Sequence, residues 1–174
     1  SISLKNLENC INSDLANNYG NLCQRVFSFI KNNCNNKIGK INKISKEDEM
    51  LLKQTELLTK NMIKDMNDQN LNSYIKSTLD ISFLTNKYIN DEEPWKLKNS
   101  NKEKMSNILY LALEQIAKIS ILLNPIIPES TNKVLKALNI KPELRNLSFI
   151  DGKNIFNNSI KIANLEILFK KIVK

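Results

Sequence analysis

Arg25 has the strongest claim to a chemical role in this chain. Of its 26 basic residues, only Arg25 and Arg145 are arginines. Lys, Asn and Ile are all over-abundant, a bias expected of an AT-rich coding sequence, and surface Lys is the easiest place to carry it. An arginine kept against that bias is more informative than any lysine. The formal net charge of +8 suits an anionic partner, but the same bias discounts it. Arg25 stands in a polar series, Asp14, Asn18, Asn21, Arg25, Ser28 and Asn32, spaced at three- and four-residue steps. Wound as a helix, these residues form a ladder on one side. The single Trp, Trp95, follows a proline at the end of Asn90-Asp91-Glu92-Glu93-Pro94. Read from these residues alone, Trp95 plugs the end of a helical bundle.

Much other chemistry is excluded. The chain has no His, which removes the commonest general base and the commonest metal ligand. Its three cysteines, Cys10, Cys23 and Cys34, are odd in number and lack C-x-x-C spacing. A zinc site is therefore not expected, and free thiols in a reducing cytosol are. There is no G-x-x-x-x-G-K, G-x-G-x-x-G or G-x-S-x-G sequence. No apolar run approaches the ~20 residues of a membrane span. Ser1 to Lys5 leads into an amphipathic helix and is not a signal peptide. The expectation is a cytoplasmic chain with no catalytic residue, metal, cofactor or membrane partner of its own.

The elements that must position Arg25 and Trp95 read as helices. Gly and Pro are scarce, at 3 and 4 residues. A first helix runs from Leu4 to about Asn33, capped by Ser3. Leu7, Ile11, Leu15, Tyr19, Leu22, Val26 and Phe29 form its buried stripe. Gly20 inside it marks a close approach of helices. Ser45 and Asp48 have capping-box spacing, so a second helix starts after Ser45 and ends near Asn67. Met50 or Leu51, Leu57 or Leu58, Met62 and Met66 carry its apolar side. Asp68 or Asn70 caps a third helix, which stops before Pro94. Ser100 caps a fourth, from Asn101 to about Leu123, apolar on most sides and so central. Asn124 to Ser130 breaks it, and Pro128 opens a short fifth helix to about Leu138. From Lys141 the pattern weakens: Phe149, Ile150, Ile155 and Phe156 read as a loop packed back on the bundle, with a turn at Asp151-Gly152. Leu165 to Ile172 reads as a last apolar element. The fold class is all-α, an antiparallel bundle of about five helices. Residues 1–140 form the bundle, and 141–174 form an extension packing back on it.

Lys104-Met105-Ser106 resembles the K-M-S-K-S loop with which class I aminoacyl-tRNA synthetases hold ATP phosphates. The match stops at Asn107, the companion H-I-G-H cannot be present without His, and the three residues begin an apolar helix. We read it as chance.

Three stretches together carry a stronger resemblance. Asn12 to Arg25, N-S-D-L-A-N-N-Y-G-N-L-C-Q-R, resembles the opening helix of the anticodon-binding domain of bacterial methionyl-tRNA synthetases. That helix reads close to N-x-D-L-A-N-x-x-G-N-L-x-x-R. Asn90 to Leu97 resembles the family's helix end followed by P-W, and Asn124 to Pro128 its P-x-x-P break after the central helix. The chain end, Leu168-Phe169-Lys170-Lys171-Ile172, departs from the family's L-F-P-x-I by lacking the proline. Leucyl, valyl, isoleucyl and cysteinyl enzymes share the helical architecture, but G-N-L-x-x-R with P-W points to methionine.

The resemblance implies a role for named residues. Asn21, Arg25 and Trp95 would recognise the first base, a cytosine, of the CAU anticodon. Asn21 and Arg25, four apart, share a face, with Arg offering a fork of donors and Asn both a donor and an acceptor. Trp95 would offer a flat face to an unstacked loop base. The implied partners are the anticodon loop of tRNA and the catalytic domain of the same enzyme, where ATP and methionine would be used. Lys31 and Lys98 are further candidates for phosphate contact. The rival readings are the equivalent domain of another class I synthetase, a helical interaction module with no RNA role, and nonspecific RNA binding through the lysines.

Overall fold

The computed structural model describes residues 13–147, 150 and 154–168. Leu7, Cys10, Ile11, Phe149, Asp151, Gly152, Phe169 and Ile172, named above, lie outside them. Among the described residues there are five α-helices: α1 Asn21–Asn33, α2 Lys46–Asn67, α3 Leu71–Glu92, α4 Lys102–Leu123 and α5 Pro128–Ala137. A π-helical turn, Leu15–Gly20, runs straight into α1, and 3-10 turns occupy Pro94–Leu97 and Pro142–Leu144. Two short strands, β1 Lys37–Ile38 and β2 Ile160–Lys161, pair antiparallel with Ile38 opposite Ile160. The expected all-α bundle is what forms.

Helix α4 is its axis. Met105 and every residue from Asn107 to Leu123 is buried. Helices α1, α3 and α5 and the Pro94–Leu97 turn pack on it, and α2 packs on α3. By length and composition α4 could cross a membrane, contrary to the expectation that no run comes close, but 89% of that window is buried inside the bundle. It is a core helix.

A helix covered on all sides must satisfy its polar groups internally. Gln115 donates to Thr55 Oγ1 at 2.6 Å, Tyr19 and Ser120 share a hydrogen bond of 2.6 Å, and Tyr74 donates to the Leu122 carbonyl at 2.6 Å. Glu114 is buried and turns its carboxylate to the chain's far end. Its two oxygens accept the backbone N–H of Phe156 at 2.7 Å and of Ile155 at 3.0 Å. Tyr110 donates to the carbonyls of Phe156 and Asn158, both at 3.1 Å. The Asn154–Leu168 segment is thereby tied to α4.

Local signals placed the helix ends well. Ser45 and Asp48 form the expected capping box, at 3.1 and 2.9 Å. The second oxygen of Asp48 accepts from Tyr88 at 2.5 Å, joining α2 to α3. Asn70, not Asp68, caps α3, and Asn101, not Ser100, caps α4. The inner side of α2 differs more. Leu51, Thr55, Thr59 and Met62 are buried, while Met50, Leu57 and Met66 face solvent. Threonines fill the inner face because their hydroxyls meet Gln115 and the helix's own carbonyls.

The buried tyrosines give a pH prediction. Burial pushes the hydroxyls of Tyr19, Tyr74, Tyr88 and Tyr110 above their ordinary value, Tyr74 to about 12. The unfolded chain loses these protons near pH ~10 while the folded chain keeps them. Stability is therefore fully present below that pH and falls as pH rises further. Thermal melts should show the midpoint dropping steeply between pH ~10 and ~12. Tyr74→Phe should melt slightly lower at neutral pH, from loss of its hydrogen bond, yet lose less on alkaline titration.

Candidate nucleic-acid interface

Trp95 is presented by a sharp change of direction. Glu93 ends α3 in the left-handed conformation, with φ 48°. Pro94 follows, fixed in φ and without an N–H to satisfy, and opens the 3-10 turn. Pro94 is buried and Leu97 packs against the core. Trp95 therefore turns outward and is 40% exposed. The expectation of an indole plugging the bundle end is not met, because Pro94 and Leu97 do that instead.

Arg25 meets it there. Its guanidinium carbon lies 5.0 Å from the centre of the indole ring. The two residues are far apart in the chain and are brought together because α1 and the Pro94–Leu97 turn both pack on α4. A cation over an indole face gains about 0.5–1 kcal/mol at an exposed site. More important is what Arg25 does not do. Among the described residues it forms no ion pair or hydrogen bond. The nearby carboxylates are taken by lysines: Asp91 by Lys87 at 2.6 Å, Glu93 by Lys96 at 2.5 Å and Glu92 by Lys104 at 3.6 Å. These are surface pairs of small energetic value. The guanidinium N–H groups of Arg25 have no acceptor among the described residues. The other arginine is already employed: Arg145 donates to the Ile140 carbonyl at 2.8 and 3.0 Å and to Asn132 at 3.0 Å.

Asn21 is exposed at the start of α1, one turn before Arg25. It touches neither Arg25 nor Trp95 by hydrogen bond. Its Nδ2 donates to the Asn17 carbonyl at 2.8 Å. The structure thus joins Arg25 and Trp95 directly and leaves Asn21 beside them on the helix.

The polar ladder is only partly real. Asp14, Asn21, Ser28 and Asn32 are exposed and Arg25 is half-buried, but Asn18 is buried. Asn18 is three residues after Leu15 and four before Leu22, so helical spacing sets it at the edge of the apolar stripe, between that stripe and the polar ladder. Asn18 swings onto α3, where its Oδ1 accepts from Ser82 Oγ at 3.0 Å and from Asn86 Nδ2 at 2.7 Å. The apolar stripe holds at Leu15, Tyr19, Leu22 and Val26. Phe29 is only half-buried, and Cys23, Phe27 and Ile30 are buried.

The remaining candidates are lesser. Lys31 and Lys98 are exposed. Lys98 lies near enough to lower the Cys34 thiol pKa, against the larger upward push of burial. Cys23 and Cys34 are free thiols, and no cluster of metal-ligating side chains exists among the described residues. Lys104-Met105-Ser106 forms the first turn of α4, with Met105 buried, so it cannot act as a mobile phosphate loop.

Comparison with known proteins agrees with this architecture. Residues 38–174 match the family model described as the anticodon binding domain of methionyl tRNA ligase. A methionine–tRNA ligase of Rickettsia felis is 37% identical over 145 residues, covering 80% of this chain and 28% of that protein. Its counterpart in Rickettsia conorii is 33% identical over 173 residues, covering 92% of this chain and 34% of that protein. The chain thus spans about a third of the length of these relatives. The apo methionyl-tRNA synthetase of Mycobacterium tuberculosis superposes over 99% of this chain and 35% of its own, with a TM-score of 0.87 at 23% identity, a likeness of fold. By the match over residues 38–174 and the likeness to these ligases, this chain belongs to the family of methionyl-tRNA ligase anticodon-binding domains.

Proposed function

We propose that this chain binds the CAU anticodon loop of tRNA(Met) and that Asn21, Arg25 and Trp95 receive its first base. The observation that supports this most is the uncommitted guanidinium resting on a half-exposed indole. An unstacked base laid on the indole gains roughly 1–3 kcal/mol. The guanidinium edge then supplies donors for the acceptor atoms of a cytosine or for an adjacent phosphate.

On this reading residues 1–140 do the binding and 141–174 brace the bundle. The chain supports a reaction carried out elsewhere in a longer methionine–tRNA ligase. ATP and methionine are used by its catalytic domain, which is the second partner, and the setting is the cytoplasm. The anticodon is held here so that the correct tRNA is charged there.

Trp95→Ala and Arg25→Gln should each weaken binding of a CAU stem-loop by about tenfold or more. Both changes are at the surface, so the far-UV circular dichroism should be unchanged. Filter binding at fixed salt reads the affinities. Unchanged affinity in both variants defeats the proposal. Steep salt dependence without preference for CAU would favour nonspecific contact through the lysines instead.

A further inference from the structure

The π turn before α1 changes the hydrogen bonding at Asn21. In an α-helix the Asn17 carbonyl would take the backbone N–H of Asn21. Here that N–H goes to the Asn18 carbonyl. The Asn17 carbonyl accepts the side-chain Nδ2 of Asn21, at 2.8 Å. The Asn21 amide is therefore held one way round, with its donor end on the helix and Oδ1 left as the acceptor.

We infer that Asn18 is a positioning residue for base specificity: by stapling the π turn to α3, it holds the Asn21 amide with its acceptor outward. The inference rests on the reading of Asn21, Arg25 and Trp95 as the base site. Asn18 is buried, and both bonds of the staple go to its Oδ1, from Ser82 and Asn86. Its Nδ2 has no partner among the described residues. Such a group is costly to bury, so the residue's use lies in the acceptor.

An outward acceptor at Asn21 beside donors on Arg25 matches cytosine, which offers an amino donor next to ring acceptors. Uracil presents an acceptor where cytosine has the amino group. To accommodate it, Asn21 would have to reverse its amide and break its bond to Asn17. Loss of the staple frees the π turn to relax to α geometry. The Asn17 carbonyl then takes the backbone N–H of Asn21, as in an α-helix, and the side-chain amide can turn either way.

The test uses the 174-residue chain. Stem-loops carrying CAU or UAU are titrated against the parent protein, Asn18→Ala, Asn18→Asp and the double variant Ser82→Ala/Asn86→Ala. Trp95 emission and affinity are both read. The parent should prefer CAU by about tenfold or more. Asn18→Ala and the double variant should retain Trp95 quenching but bring the CAU/UAU ratio close to one. Asn18→Asp keeps the acceptor but adds a carboxylate at a buried site, so where it melts like the parent it should restore most of the ratio. A parent protein with no CAU preference or no quenching overturns the base-site reading itself. A parent that discriminates alongside a double variant that discriminates equally well overturns the role of Asn18 alone. So does Asn18→Asp failing to recover the ratio while it melts like the parent. The double variant removes only the two donors, which keeps the inference testable if Asn18→Ala does not fold.

Discussion

Helix α4 has no face left for water, and that constraint orders everything around it. From Asn107 to Leu123 each side chain must be covered, so helices have to pack on all its sides. Each buried apolar side chain contributes roughly 1.5–3 kcal/mol, which makes this coverage the main source of stability. It also fixes geometry. The π turn and α1 lie on one flank, and the Pro94–Leu97 turn is anchored on the same axis by Pro94 and Leu97. Arg25 and Trp95 meet because two elements share a support, not because either is strong enough to recruit the other.

At that meeting point the guanidinium has an aromatic partner and no carboxylate among the described residues. The acids of the segment that leads to Trp95, Asp91, Glu92 and Glu93, pair with lysines, and Arg25 is held by the indole alone among the described residues. An arginine held by an aromatic face keeps its full complement of donors, whereas one held by a carboxylate spends them. A lysine could not serve equally, since its point charge lacks the planar fork. The chain contains a comparison of its own: Arg145, with its donors on Ile140 and Asn132, is structural.

How much of this the residues announce depends on range. The Ser45–Asp48 capping box and the breaks at Pro94 and Pro128 are local chemistry, and they were legible. So was the buried character of α4, because apolar residues on most sides of a helix leave only one place to put it. The face of α2 was legible at Leu51, Leu58 and Met62 but not at Met66, which is exposed, or at Thr55, which is inward because Gln115 waits on α4. Asn18 was misplaced for a different reason. It stands where ladder and apolar stripe meet, and what turns it inward is a pair of donors on α3, Ser82 and Asn86, that its own neighbours in sequence do not reveal. The site came from resemblance; spacing alone paired Asn21 with Arg25 and read Trp95 as a plug. No periodicity could show an indole turned outward beneath a guanidinium.

The most direct test of the central claim uses the chain's single Trp as its own reporter. Trp95 emission is followed while a CAU stem-loop is added, and again with a stem-loop whose first anticodon nucleotide lacks its base. Stacking of that base on the indole predicts saturable quenching with the intact loop and little with the abasic one. Equal quenching by the two, or none by either, would contradict it.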